Sequence, residues 1–390
     1  MAGERMLTAL NGFRRRYQKL DRKGRSGLLN EFCEGTGYHR KYAIALLRRP
    51  PDEKPASSPR RRGVTYSTSG VRVLEKIWES AGYPWSVRLK ALLPHWLPWA
   101  RRHIAGVTPA IEAELLRMSP RQMDRRLRAC RRDRKRRIYG HSKPGTLLRQ
   151  QIPIRTDSRE IVCPGYLEID LVEHSGPNAS GEFVYSLNAT DIHTGWTQTR
   201  AVLGKGETGV RAALEDIRAG LPFALLGIDS DNGSEFINHH LLRWCVRLGV
   251  KFTRSRPYKK NDNAHIEQKN WTHVRKIFGW DRYDTAGQCA AMNLVYSGDL
   301  SDMMNLFQPC VKLVEKVRVG SRVLRRYDAP KTPLDRLADC HPRDSLPLPV
   351  QKLLAARGNM DPFTLSSRIN KALRRLFRST AAGKEKEILY

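Results

Sequence analysis

Cysteine is sparse and scattered. The seven cysteines, Cys33, Cys130, Cys163, Cys245, Cys289, Cys310 and Cys340, contain no C-x-x-C pair and are odd in number. That argues against a disulfide framework and a zinc ribbon, and no zinc is expected. They read as reduced, packed thiols of a cytosolic protein. Long apolar runs are also lacking. None approaches the ~18 residues of a spanning helix, so no membrane partner is expected. The first residues, MAGERMLTALNGFRRRYQKL, are too basic and too broken for a secretory leader. Acids are the third shortage: 39 Asp+Glu stand against 70 Lys+Arg, a net charge of +31 in 390 residues. Such a surface attracts polyanions, with nucleic acid as the default partner.

What is present divides into blocks. Residues 1–50 read as helices joined at Thr36-Gly37, with Leu28, Leu29 and Phe32 inward on the first. Tyr42, Ala43, Leu46 and Leu47 are inward on the second, and Arg40 and Lys41 stand in its first turn. That is a helix-turn-helix pattern, and it makes Arg40 and Lys41 candidate DNA contacts. Residues 51–67, rich in Pro, Ser and Arg, read as a linker. Residues 68–137 form a second helical module, with Trp85, Trp96 and Trp99 expected in its core. Pro109 opens a helix with Ile111, Leu115 and Leu116 inward. Ser119 then caps another that turns Met123 and Leu127 inward and Arg121, Gln122, Arg125 and Arg126 outward. Ten of the seventeen residues from Arg121 to Arg137 are basic, where a merely solvated helix would mix signs.

After a second linker, 138–160, the texture changes to α/β. GYLEIDLVEHSG alternates as a half-buried strand does. Two strands joined by Asp191 to Gly195 follow, then a helix, the apolar strand FALLGIDSDNG, a helix, the strand VKFTRSRPY, and a helix capped by Asn261 or Asp262. This is the element order of a ribonuclease-H-like domain, placed at 161–300. Within residues 301–337, VKLVEKVRVGSRVLRRYDAPKTPLDRL alternates apolar and basic residues and suggests a small β subdomain. Residues 338–390 read as a basic tail with one amphipathic helix. The predicted fold is therefore multidomain: all-α modules, a central α/β core and a small C-terminal β subdomain.

Acids are few, so their placement is informative. Phosphoryl transfer with two divalent cations needs carboxylates from separate segments at one sheet edge. Asp170 lies in the first strand, Asp231 ends the fourth, and Glu267 sits early in the last helix. Asp229 and Glu168 each share a strand side with one of them and are rivals on geometry alone. Hard oxygen ligands without a Cys/His cluster suit Mg²⁺ or Mn²⁺. Asn270 shares a helix face with Glu267 and could orient it or touch a phosphate. Lys259, Lys260 and Lys269 would hold DNA backbone. His265 and His273 read as surface histidines.

The stretch from about Gly165 to Trp280 resembles the DDE transposase/retroviral integrase catalytic core. EID at 168–170, SDNGSEF at 230–236 and KKNDNAHIEQKN at 259–270 are similar to its three signatures, and 35 residues separate Asp231 from Glu267. The basic N-terminal modules extend the likeness to bacterial insertion-sequence transposases. The resemblance implies Asp170, Asp231 and Glu267 as the metal-binding catalytic trio, with two ions per site. It also implies double-stranded DNA partners (terminal inverted repeats and target DNA), a homo-oligomer on DNA, and a location at the bacterial nucleoid. The zinc module of retroviral integrases has no counterpart here, because Cys33 and His39 do not match its spacing.

Overall fold

A computed structural model describes residues 2–50, 66–132, 161–230, 239–254, 264–319 and 322–380. The chain divides into two compact units, Met1–Thr65 and Tyr66–Tyr390.

The first unit holds α1 (Ala2–Lys19), α2 (Arg22–Thr36) and α3 (Arg40–Leu47). Asp21 caps α2 by accepting from the Gly24 amide at 2.8 Å. Gly37, with φ 70°, closes its other end in the left-handed conformation that a side chain resists. His39 then caps α3 through Nδ1, which accepts from the Lys41 amide. Tyr17, Leu28, Leu29, Phe32, Ala43 and Leu47 form the core. Tyr42, expected inward, is 55% exposed and packs edge-on against Tyr38. An eight-residue helix offers a narrow apolar stripe, and Ala43 and Leu47 already fill it.

The second unit begins with α4 (Thr68–Ser80), α5 (Ser86–His103), α6 (Pro109–Arg117), α7 (Pro120–Arg126) and α8 (Arg128–Arg132). Thr108 and Ser119 cap α6 and α7, each followed by a proline whose missing N–H costs nothing in a first turn. Met123 and Leu127 are fully buried as the spacing predicts, whereas Leu116 points outward. Of the three tryptophans only Trp96 is fully buried. Trp85, just before α5, is half exposed, and Trp99 lies under the Arg102 guanidinium.

The sheet comprises β1 (Tyr166–Glu173), β2 (Val184–Asp191), β3 (Thr197–Leu203), β4 (Gly227–Ser230) and β5 (Lys251–Arg254), in the order β3-β2-β1-β4-β5. The β1–β2 and β2–β3 pairs are antiparallel, while β1–β4 and β4–β5 are parallel. This mixed sheet has the three-then-one-then-one strand succession expected of a ribonuclease-H-like core. The β2–β3 turn is tied by Asp191, whose carboxylate accepts from the Thr194 amide and hydroxyl, both at 2.7 Å. Gly195 in that turn has φ 75°, and a Cβ there would sit 3.1 Å from Cys310 Sγ.

Period-two alternation sorts the sheet's two faces. Leu167 and Ile169 of β1 and Leu187 and Ala189 of β2 pack under α9 (Glu207–Ala219) and α10 (His239–Leu248). Glu168 and Asp170 therefore face the opposite way, toward α11 (Ala264–Lys269). A π-helical stretch, Asn270–Arg275, continues α11 into α12 (Lys276–Phe278). Then come α13 (Ala286–Ser297), α14 (Asp299–Asp302) and a second π stretch, Met303–Phe307. A hairpin of β6 (Leu313–Val319) and β7 (Arg322–Tyr327) precedes α15 (Pro333–Asp339), α16 (Leu348–Asn359) and α17 (Pro362–Arg378).

Beyond Cys340 two α-helices are found where the sequence suggests one. Pro349 lies in the first turn of α16, where it starts the helix instead of breaking it. The helices of 68–132, the second face of the sheet and the C-terminal helices share one core: Leu74, Trp96 and Leu115 belong to the same apolar cluster as Val184, Ala201, Tyr296, Leu337 and Leu373. No helix among the described residues is long and apolar enough to cross a membrane.

Candidate active site

The site is built on β1, the central strand. Glu168 is buried (1% exposed), and its Oε2 accepts from the Ile266 amide at 3.1 Å. One turn on, Asn270 Nδ2 donates to Asp170 Oδ2 at 2.6 Å. Two side chains of one strand thus hold the first half of α11 and the start of the π-helical stretch that continues it. Glu267 lies between those two attachment points, and its side chain is outside the described ones. Asp170 Oδ1 also accepts from the Leu171 amide at 2.9 Å. Its carboxylate is half-buried at the face that α11 covers.

The parallel β1–β4 register pairs Glu168 with Asp229 and Ile169 with Ser230. β4 therefore ends one residue short of Asp170's level, and Asp231 follows Ser230 in sequence. Asp231, Lys259 and Lys260 lie outside the described residues, as does the cap expected at Asn261 or Asp262. Asp229 is buried and accepts from the Thr253 hydroxyl at 2.6 Å, so it is engaged with β5.

Asn270, whose spacing suggests that it could orient Glu267 or touch a phosphate, belongs to a chain of amides. Its Oδ1 accepts from Asn188 Nδ2 at 2.9 Å, and Asn188 Oδ1 accepts from the Thr199 hydroxyl at 3.1 Å. Asp170, Asn188 and Thr199 are successive register partners across β1, β2 and β3. The row fixes each amide's direction: the hydroxyl starts it and the Asp170 carboxylate ends it. Asn188 and Thr199 escape notice in the sequence. They are two of several buried polar residues on that side of β2 and β3, with Ser186, Thr190 and Thr197, and only the antiparallel register singles them out. The π-helical turn at Asn270 is a second feature without a sequence signature, and such turns recur at functional sites.

Behind α11 lies a buried basic set. Lys269, expected at DNA phosphates, is 7% exposed. Burial pushes its ammonium down to about 8, opposed by Cys310 and aided by Arg88 and Arg336. His273, expected at the surface, is buried as well. Desolvation, with Lys269 and Arg88 nearby, holds its imidazole well below the usual value, so it is neutral. Arg88 of α5 donates to the Pro309 carbonyl. Arg336 of α15 donates to Asp328 at 2.6 Å and to the Cys310 carbonyl at 3.0 Å. A basic residue type cannot tell whether its long stem runs inward or outward, and that is why the sequence misplaces Lys269.

Among the described residues no group of three His, Cys, Asp or Glu side chains forms a metal cradle. Asp170 alone of the expected trio has a described side chain. Its donor set fits a hard divalent cation: an oxygen-only carboxylate, partly open, on the strand next to the end of β4.

Of the expected DNA contacts, Arg40 and Lys41 are exposed on the first turn of α3. Arg40 is tied back to α2 by donating to Asn30 and to the Ser26 hydroxyl. Arg121, Arg125 and Arg126 are exposed on α7 and Gln122 partly so, while Asp124 between them turns inward to the Ser86 hydroxyl at 2.7 Å.

The chain belongs to a family with a rhizobial relative of similar length. That relative is "Uncharacterized protein y4rM" of Sinorhizobium fredii (strain NBRC 101917 / NGR234), 40% identical over 327 residues, 82% of this chain and 91% of the relative. No protein-family model matches the chain. Among solved structures, the BIV integrase catalytic core domain is similar at 14% identity and a TM-score of 0.30, covering 45% of this chain and 93% of that one. The HTLV-2 integrase catalytic core domain in complex with magnesium (dimeric form) is similar at 12% identity and a TM-score of 0.29, covering 38% and 92%.

Proposed function

We propose that this protein is a DDE-type transposase: it cleaves DNA at the ends of its own insertion sequence and joins them to target DNA. The observation that carries the proposal is the double attachment to β1 of α11 and the π-helical turn that continues it. Glu168 takes the Ile266 amide and Asp170 takes the Asn270 amide, so Glu267 rides between them beside the central strand. β4, the neighbour of β1, leads directly into Asp231. On this reading three carboxylates from three elements would meet at one edge, as paired divalent cations require.

Asp170, Asp231 and Glu267 would hold Mg²⁺ or Mn²⁺, two ions per site. When bound, such ions supply Lewis-acid stabilisation of charge at the phosphate and lower the pKa of water. The residues of the chain do the positioning. The Thr199–Asn188–Asn270 row keeps one Asp170 oxygen fixed, and Glu168 fixes the start of α11. Cleavage breaks a phosphodiester with water and leaves a 3′-OH. That hydroxyl then displaces a bridging oxygen in the target strand, so the number of phosphodiester bonds is conserved in the second step. The exposed first turns of α3 and α7 would read the terminal inverted repeats, and the protein would work as a homo-oligomer on DNA, at the nucleoid.

The test is a strand-transfer assay with a labelled duplex carrying the DNA that flanks the coding region. The expected result is Mg²⁺-dependent joining of its 3′ end to a second duplex. Cleavage without joining would make the protein a nuclease, and neither would remove the proposal.

A further inference from the structure

A trough lies between α17 and the α4–α5 pair, with a volume of about 790 Å³. Five of its lining residues are Lys or Arg (Lys76, Lys371, Arg374, Arg375 and Arg378) against one acid, Glu79. Glu79 already pairs with Lys76 at 3.3 Å, and His103 on the same wall is held by Asp361 at 2.5 Å.

Helix α17 explains the asymmetry. Its sequence, PFTLSSRINKALRRLFR, contains no acid. Phe363, Leu365, Ile369, Leu373 and Leu376 are buried and lock it into the shared core. The remaining face is therefore rigidly displayed, and a face that only needed solvation would mix signs. Arg368 pairs with Asp299, away from the trough. Lys371, Arg374 and Arg378 recur at i, i+3 and i+7, a row about 10 Å long at 1.5 Å per residue. A row of that length spans about three steps of a DNA strand at 3.4 Å each. Ser367 and Asn370 line the same trough, and hydroxyls and amides are ordinary partners of phosphate oxygens. The aromatic rings there are already engaged, Tyr83 against Trp78 and Phe363 against Trp96. Without a ring for unpaired bases to stack on, the trough suits the backbone of a duplex better than single strands.

We propose that this trough is a second DNA-docking surface, which holds the phosphate backbone of duplex DNA without reading its sequence. The choice of DNA over other polyanions rests on the proposed transposase reading. The surface itself rests on α17.

The experiment uses the full chain, a fluorescent duplex of random sequence, and anisotropy across a salt series. Lys371→Ala with Arg374→Ala should reduce the slope of log K against log salt by about 1.8, two phosphates at about 0.9 each. Removing the same charge from α9, with Arg211→Ala and Arg218→Ala, should leave the slope near wild type. Lys371→Arg with Arg374→Lys should also keep the wild-type slope, which controls for folding. Equal losses from both alanine pairs would mean that total charge matters and not this surface, and would overturn the proposal. So would a wild-type DNA slope accompanied by lost binding to phosphatidylserine vesicles. The same preparations are assayed for Mg²⁺-dependent cleavage. If the wild type does not cleave but the slope falls as expected, the transposase reading fails and the docking surface stands. If it cleaves and the slope does not change, the docking surface alone fails.

Discussion

Asn188→Asp keeps the side chain's size and removes its ability to donate. In the native protein Asn188 Nδ2 donates to Asn270 Oδ1, which frees Asn270 Nδ2 for Asp170. With a carboxylate at 188, Asn270 Oδ1 faces an anion, or the amide turns over and presents its oxygen to Asp170. The first outcome loses the amide–amide hydrogen bond, worth about 0.5–1.5 kcal/mol, and the second loses the bond to the Asp170 carboxylate, worth about 1.5–3 kcal/mol. The substitution also places an uncompensated charge at a position with 0% exposure, a change that costs about 3–5 kcal/mol when a buried pair is broken. Asn188→Ala leaves only neutral groups without a partner, about 1–3 kcal/mol. The expected order of stability at pH 7 is wild type, then Asn188→Ala, then Asn188→Asp. Urea unfolding of the three proteins measures it. At pH 5 the gap between the variants should narrow, because protonation gives the new carboxyl back a donor. An Asn188→Asp protein as stable as wild type, or more stable than Asn188→Ala, would refute the direction assigned to the amide row.

Two further outcomes are expected. His174 is buried against Tyr283 and Phe278, with Nε2 at 2.7 Å from the Ser186 hydroxyl; desolvation, with Arg275 adding to it, lowers its pKa from 6.5 to about 3. The unfolded chain then binds a proton below pH 6.5 that the folded chain refuses, so stability falls as pH drops from 6.5 toward 3. At pH 5 the loss is about 2 kcal/mol, at 1.36 kcal/mol per unit, and His174→Gln should remove that share of the pH dependence in urea titrations. Deleting residues 1–65 should leave a folded protein that has lost selectivity for its own DNA ends, because that unit has its own core. Deleting through residue 137 should instead unfold it by stripping Leu74, Trp96 and Leu115 from the shared core; thermal unfolding and competition binding separate the two.

The site was legible where local pattern determines geometry. Alternation along GYLEIDLVE is enough to set Glu168 and Asp170 on the side opposite Leu167 and Ile169. Helical spacing is enough to put Ile266 and Asn270 about one turn apart. Which acid does which job was less legible. Asp170 holds Asn270, and Glu168, a rival for the metal on spacing alone, instead takes the Ile266 amide. What failed was partnership between distant segments. The sequence shows amphipathic faces on α4, α5 and α17, but not that they bury one another along with a face of the sheet. Lys269 and His273 read as surface residues because polarity predicts exposure on average, and here the π turn and α5 enclose them. Asn188 and Thr199 acquire meaning only through the register that aligns them with Asp170.

The central claim is that Asp170, Asp231 and Glu267 together hold the cations for DNA cleavage. The most direct measurement compares Asp170→Asn, Asp231→Asn, Glu267→Gln and Asp229→Asn for Mg²⁺-dependent cleavage of terminal-repeat DNA, with binding of the same duplex measured in parallel. Each trio substitution should abolish cleavage and leave binding intact. Asp229→Asn should retain cleavage, because its carboxylate is engaged with Thr253. Cleavage surviving in any trio variant, or lost in Asp229→Asn while Asp231→Asn stays active, would contradict the account.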